Sequence, residues 1–285
     1  MKESGYLTTP CSPTWCPGCG NLNIWGAFKS AAIEQGWNNA NTVLVAGIGC
    51  HGHILNFLKL TSFEGLHGRA LPVATGIKLA NGDLNVFVFT GDGDCFGEGG
   101  NHFIHACRRN HNLTVLIHDN SLYALTTGQT SPLSPHGLRT KSTPTGNPDE
   151  PFNPLALAII SGATFVARAY AGDMPKLTSL IVEANKHRGI AVIDILQPCV
   201  TYNKTFTHQF FRENTYYLGE KYDPTNREEA LIKSQEFGTK QIPLGIFYKV
   251  DKPSYEDSAL AKTQKNILKK SIQPQAINEL FKNYT

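Results

Sequence analysis

The chain has 285 residues, 41% hydrophobic and 17% charged, which is enough apolar material for one large core. Its net charge of +3 is too small for a nucleic-acid footprint, and no basic stripe is interleaved with aromatics. The N-terminal MKESGYLTTP has no apolar signal core and no stretch is long and apolar enough to span a bilayer, so neither nucleic acid nor membrane is an expected partner. Seven cysteines is an odd count for a disulfide scaffold of this size. A reducing, cytoplasmic setting with free or metal-bound thiols fits better.

In chain order, residues 1–15 read as polar and extended. Cys16-Pro17-Gly18-Cys19-Gly20 then brings two thiols into one tight turn, leading into a helix over 22–35. A short buried strand over 42–46 ends in Gly47-Ile48-Gly49-Cys50. Residues 66–69 (Leu-His-Gly-Arg) form a loop, and 71–79 a helix of small residues. A strand over 86–90 stops at Gly91-Asp92-Gly93-Asp94, a helix follows over 102–109, and a strand over 113–117 ends in His118-Asp119-Asn120. Residues 126–152 are crowded with Thr, Ser, Pro and Gly, a composition expected of a binding loop. The pattern continues with helix 154–161, strand 164–167, helix 175–188, and a buried strand over 190–196 that ends at Gln197-Pro198-Cys199. A polar helix over 223–237 and a short strand over 242–248 complete it. The lysine-rich residues 251–285 read as a helical extension, and no internal repeat is visible. The expectation is an α/β fold, a parallel sheet flanked by helices, with residues 1–220 as the main domain and 221–285 as a C-terminal extension on that domain or on a partner.

Strand, glycine turn, helix and strand around Asp92 form a βαβ unit with parallel strands. Both strands then end on the edge where open α/β sheets bind ligands, so Asp92 and Asn120 emerge side by side. A carboxylate, an amide oxygen and a nearby backbone carbonyl suit Mg²⁺, which keeps phosphate oxygens in its shell, so a diphosphate is expected to complete the site. Cys50 and Cys199 also follow strands. With Cys16 and Cys19 they form a set of four thiolates able to hold either a tetrahedral zinc or an iron–sulfur cluster. Cys95 and Cys107 read as small core residues and Cys11 as unligated.

Two stretches, GDGDCFGEGG and DNSLYALTTGQTSP, resemble the thiamine diphosphate signature in the β subunits of 2-oxoacid:ferredoxin oxidoreductases. The likeness runs through WCPGCGN, GIGC, HGRALPVATGIKLAN, HFIHACRRN and DILQPCVTYN to IPLGIFYKVDKP, nearly the whole chain in the family's order. It implies a thiamine diphosphate-binding fold. It also implies oxidative decarboxylation of a 2-oxoacid (2-oxoglutarate or pyruvate) to acyl-coenzyme A and CO₂, with electrons passed to ferredoxin. On this resemblance Asp92, Asn120 and the Leu122 carbonyl hold Mg²⁺, and Cys16, Cys19, Cys50 and Cys199 hold a 4Fe-4S cluster. The cofactor would lie against Ile48, Gly49, Cys50, His51, His67, Gly91, Gly93, Asp94, Tyr123, Ala124, Leu125, Thr126 and Thr127. The glutamate that activates thiamine diphosphate is expected on the α (or fused α/γ) partner subunit, since Glu64 and Glu98 carry no matching signature.

Departures from the family pattern qualify this picture. HGH follows Cys50 where the family shows a small polar residue, so His51 is either a cofactor or cluster contact or a loop histidine. His67 is expected near the cofactor; Arg69 is left between that role and loop hydrogen bonding. His102, His105, His111 and His118 read as packing or surface residues. Ala124 replaces a glycine and demands φ < 0 there. The neutral Thr127 leaves the second carboxylate of a dicarboxylic substrate without a cationic partner in this chain. Two other classes remain: a non-oxidative thiamine diphosphate decarboxylase or synthase, and a zinc-stapled binding module without catalysis.

Overall fold

The computed structural model describes residues 7–237, 241–258 and 281–282. Its strands are β1 (Thr42–Ala46), β2 (Thr61–Glu64), β3 (Asn85–Gly91), β4 (Thr114–Asp119), β5 (Leu122–Tyr123) and β6 (Gln129–Thr130). They continue as β7 (Phe165–Tyr170), β8 (Ala191–Leu196), β9 (Thr215–Tyr217) and β10 (Ile242–Lys249). The helices are α1 (Gly20–Gln35), α2 (Ile54–Phe57), α3 (Ala70–Ala80), α4 (Gly100–Arg109), α5 (Pro154–Ser161), α6 (Met174–Lys186), α7 (His208–Asn214) and α8 (Arg227–Ser234).

Strands β1, β4, β7 and β8 are buried at every position, and β3 at all but its first. A strand buried on both faces needs helices on both sides, the arrangement parallel sheets adopt. The eight-stranded sheet has the order β2-β1-β3-β4-β8-β7-β10-β9, with every pairing parallel except β10 against β7. Alternation divides the apolar side chains between two cores. Phe87, Phe89, Ile193 and Ile195 pack with α1 and α6, whereas Val86, Val88, Val115 and Val192 pack with α3, α4, α5 and α8. β5 and β6 form a separate hairpin beside the sheet.

Local chemistry sets the boundaries. Asn153 accepts the Ala156 N–H at 3.0 Å with Pro154 at the first helical position, and Gly162 closes α5 at φ 100°. The polar helix expected from 223 begins later, at Arg227. Asp223 folds back onto the Thr225 N–H in a turn, and Asn226 takes over as cap for the N–H groups of Glu228 and Glu229. The strand expected over 164–167 runs on to Tyr170. After β3 the chain enters a π-helical turn over Gly93–Glu98 directly, and α4 starts at Gly100, earlier than the helix expected over 102–109. β2, an edge strand exposed along its whole length, was not anticipated. β10 joins the same sheet as the segment before residue 220, while most of the extension expected over 251–285 lies outside the described residues.

Candidate functional site

β3 and β4 pair in parallel with Gly91 opposite His118, so Asp92 and Asn120 leave the sheet at one edge. A cavity of about 80 Å³ opens there. It is lined by Ile48, Gly49, Cys50, His51, His67, Gly91, Asp92, Gly93, Asp94, Asn120, Leu122, Tyr123, Ala124, Leu125 and Thr126. Thr127 is outside that lining. It is exposed at φ 78°, a left-handed conformation that costs a β-branched residue roughly 1–3 kcal/mol. Ala124 is not among the positive-φ residues; that conformation falls on Ser121, Thr127 and Gly128.

Asp94 ties the walls together. Its buried carboxylate accepts the Ile48 N–H at 3.1 Å, the Gly68 N–H at 2.7 Å and the Thr90 hydroxyl at 2.6 Å. His67 Nδ1 is 2.8 Å away and His51 Nε2 3.5 Å away. Burial alone would raise this carboxyl, but His51, Thr90 and the Gly68 N–H outweigh it and hold the group at about 2. Glycines make the crowding sterically workable. A Cβ on Gly47 would strike the Asp94 carboxylate, one on Gly93 the Tyr123 ring, and one on Gly49 or Gly91 would meet the His51 ring at 2.8 Å. Glu98, half exposed, reaches Tyr123 Oη at 3.2 Å and His67 Nδ1 at 3.3 Å.

Asp92 is 1% exposed and accepts the Ser131 hydroxyl. Burial pushes its carboxyl up to about 7 against the hydrogen bonds of Ser131 and the backbone around Gly93 and Asn120. A buried carboxylate and an amide side chain on one cavity wall suit a hard cation, which would hold Asp92 ionised. Asn120 Oδ1 accepts the Leu122 N–H at 3.1 Å, and its Nδ2 donates to Gln197 Oε1 at 2.9 Å.

Cys16, Cys19, Cys50 and Cys199 line a second cavity, of about 200 Å³. Burial pushes the Cys19 thiol up to about 12 and Cys50 to about 11, and the mutual proximity of the cysteines adds to both. A positively charged centre would reverse that and keep the thiolates. Among the described residues no three His, Cys, Asp or Glu side chains converge on a single-ion site. A lone zinc would draw four sulfurs to within about 2.3 Å of one point. Four thiols around one cavity are a donor set that a tetrahedral zinc or an iron–sulfur cluster would accept. Cys95 and Cys107 are buried in the core, and Cys11 is exposed. Cys50, Asn120, Ala124 and Leu125 line both cavities, so the two share a wall.

Sequence reasoning passed over the buried polar side chains behind that wall. His118, expected as a packing or surface residue, is fully buried, and its Nδ1 lies 2.7 Å from Asn21 Oδ1. Asn21 lines the cysteine cavity with its Nδ2 unpartnered, an orphan donor beside a space an acceptor would fill. Burial and His51 hold His118 neutral, its pKa well below the usual histidine range. Gln197, read only as the residue after a strand, bonds both cavities' side chains. Polar residues directly following buried strands at the ligand edge were the available signal.

Residues 47–195 match the family described as thiamine pyrophosphate enzyme, C-terminal TPP binding domain. Residues 199–263 match the family for the C-terminal part of the pyruvate ferredoxin oxidoreductase beta chain. The 2-oxoacid:ferredoxin oxidoreductase subunit beta of a Sulfolobus species is 46% identical over 263 residues, covering 87% of this chain and 86% of that one. The 2-oxoglutarate synthase subunit KorB of Methanothermobacter marburgensis is 36% identical, covering 90% and 91%. Among solved structures, a 2-oxoglutarate:ferredoxin oxidoreductase from Magnetococcus marinus superposes with a TM-score of 0.91 at 34% identity, covering 99% of this chain and 96% of that one. That structure has 2-oxoglutarate, coenzyme A and succinyl-CoA bound.

Proposed function

The chain belongs to the β subunits of the 2-oxoacid:ferredoxin oxidoreductases, and from that premise we propose that it carries the thiamine diphosphate site of an oxidative decarboxylation. The substrate is a 2-oxoacid, 2-oxoglutarate or pyruvate; the products are acyl-coenzyme A and CO₂, and electrons leave through a 4Fe-4S cluster to ferredoxin. The observation that carries this reading is the wall shared by the glycine-lined cavity and the cysteine cavity.

Asp92, Asn120 and the Leu122 carbonyl would hold Mg²⁺, and the amides of Gly93 and Asp94 would face the diphosphate. Cys16, Cys19, Cys50 and Cys199 would hold the cluster. When bound, thiamine diphosphate supplies an electron sink and the cluster a one-electron outlet, which zinc does not offer. His67, its Nδ1 engaged by Asp94, keeps Nε2 for a bound group. His51 packs against Gly49 and Gly91 and would brace the glycine turns that hold the diphosphate. Ala124, which is buried, closes the boundary between the two sites. The activating glutamate comes from the α (or fused α/γ) partner.

The test is anaerobic purification with the co-purifying partner, followed by a panel of 2-oxoacids with a ferredoxin-like acceptor. The expected result is acceptor reduction that requires coenzyme A and thiamine diphosphate, with iron and acid-labile sulfide present. The chain without its partner binds both groups but does not turn over. Acceptor-independent CO₂ release from iron-free protein, or robust turnover by the chain alone, refutes the proposal.

A further inference from the structure

Gln197 follows β8 immediately and is 1% exposed. Its backbone N–H donates to Asp119 O at 2.7 Å, which places it at the same sheet edge as Asn120. Its side chain faces two ways. Oε1 accepts the Asn120 amide at 2.9 Å, while Nε2 stands 2.9 Å from Pro198 O and 3.4 Å from Cys19 Sγ. The network fixes both amides. A flipped Gln197 would set oxygen against Pro198 O, and a flipped Asn120 would set oxygen against oxygen at Gln197 and N–H against N–H at Leu122. Gly20 makes room for this arrangement, since a Cβ there would meet Gln197 Cγ at 3.0 Å.

We propose that Gln197 is a positioning residue shared by the two cofactors: it turns the Asn120 oxygen toward the metal and donates an N–H to the Cys19 sulfur. The proposal rests on the reading of Asn120 as a magnesium ligand and Cys19 as a cluster ligand. Hydrogen bonds that orient a ligand change metal affinity about 10–100-fold when lost. An N–H on a ligating sulfur stabilises the more negative, reduced cluster and so raises its potential. One buried amide therefore sets the affinity of one site and the potential of the other.

The test compares Gln197→Leu with wild type, each anaerobic and with its partner subunit. Wild type is first assayed for iron and sulfide. Magnesium-dependent thiamine diphosphate affinity is then read by calorimetry, and the cluster midpoint by EPR-monitored titration. Gln197→Leu is expected to keep its iron, to bind thiamine diphosphate about 10–100-fold more weakly, and to shift the midpoint to more negative values. In wild type labelled with nitrogen-15 in glutamine side-chain amides, pulsed EPR of the reduced cluster should detect a coupled amide nitrogen. That readout does not require the variant to fold. Iron-loaded wild type without the coupling, or an iron-loaded variant with unmoved midpoint and affinity, overturns the role of Gln197 alone. Wild type without iron overturns the reading beneath it.

Discussion

Arg168→Leu isolates the cost of one buried charge pair. Arg168 and Asp194 are opposite each other in the β7–β8 register, 1% and 0% exposed, with Nε donating to Oδ2 at 2.9 Å. The rings of Phe237 and Phe247 flank the guanidinium at 5.1 and 5.6 Å. Leucine leaves an unpaired buried carboxylate, a loss of about 3–5 kcal/mol, with roughly 1 kcal/mol more from the rings. Burial already pushes Asp194 above the usual carboxylate range despite Arg168. Without the cation the carboxyl rises further and folds protonated. A raised carboxyl contributes stability at low pH that is lost as pH climbs through its folded pKa, so the variant's deficit should be large at pH 8 and smaller at pH 5. Adding Asp194→Leu removes the orphan charge and should recover most of the loss. Urea denaturation followed by tryptophan fluorescence, on wild type, both single variants and the double variant, measures the cycle. A deficit for Arg168→Leu below about 1 kcal/mol at pH 8, or one equal at both pH values, would refute the reasoning.

Other outcomes follow from the site. Cys199→Ala should lose iron and sulfide while retaining magnesium-dependent thiamine diphosphate binding, read by elemental analysis beside calorimetry. Asp92→Asn should weaken that binding by roughly 100-fold or more, since a direct ligand matters at least as much as the groups that orient it. Gly93→Ala sets a methyl against the Tyr123 ring and should also raise the thiamine diphosphate Kd; Tyr123→Ala in the same chain should lower it again. Burial lifts Asp92 from 3.8 to about 7, so cation-free protein should lose stability as pH climbs across that interval. Added Mg²⁺ and thiamine diphosphate should flatten the decline in thermal melts.

The parallel sheet was legible because its central strands are short apolar runs punctuated by glycine, and a strand buried on both faces leaves little alternative. The same logic brought the residues after β1, β3 and β4 to one edge. β2 escaped notice because an exposed edge strand of four residues has no apolar pattern to read. The late start of α8 turned on whether Asp223 or Asn226 served as cap, and both residue types suit that place. Asp94 was read for its backbone amide, whereas its side chain proved to join three segments far apart in sequence, and no local pattern encodes such a convergence. The burial of His118 fits its reading as a packing residue, but its pairing with Asn21 and that of Gln197 with Cys19 were unreadable for the same reason, since the partners lie far away in sequence.

The partition made by Cys50, Asn120, Ala124 and Leu125 has a bearing on how this protein can change over generations. On the proposed function, a mutation that enlarges or reshapes one chamber from this side would intrude on the other, so selectivity for a new acid would not drift here without disturbing the redox site. Innovation in what is consumed is thereby pushed onto surfaces facing outward, the exposed Thr127 turn and whatever a neighbouring subunit brings to it.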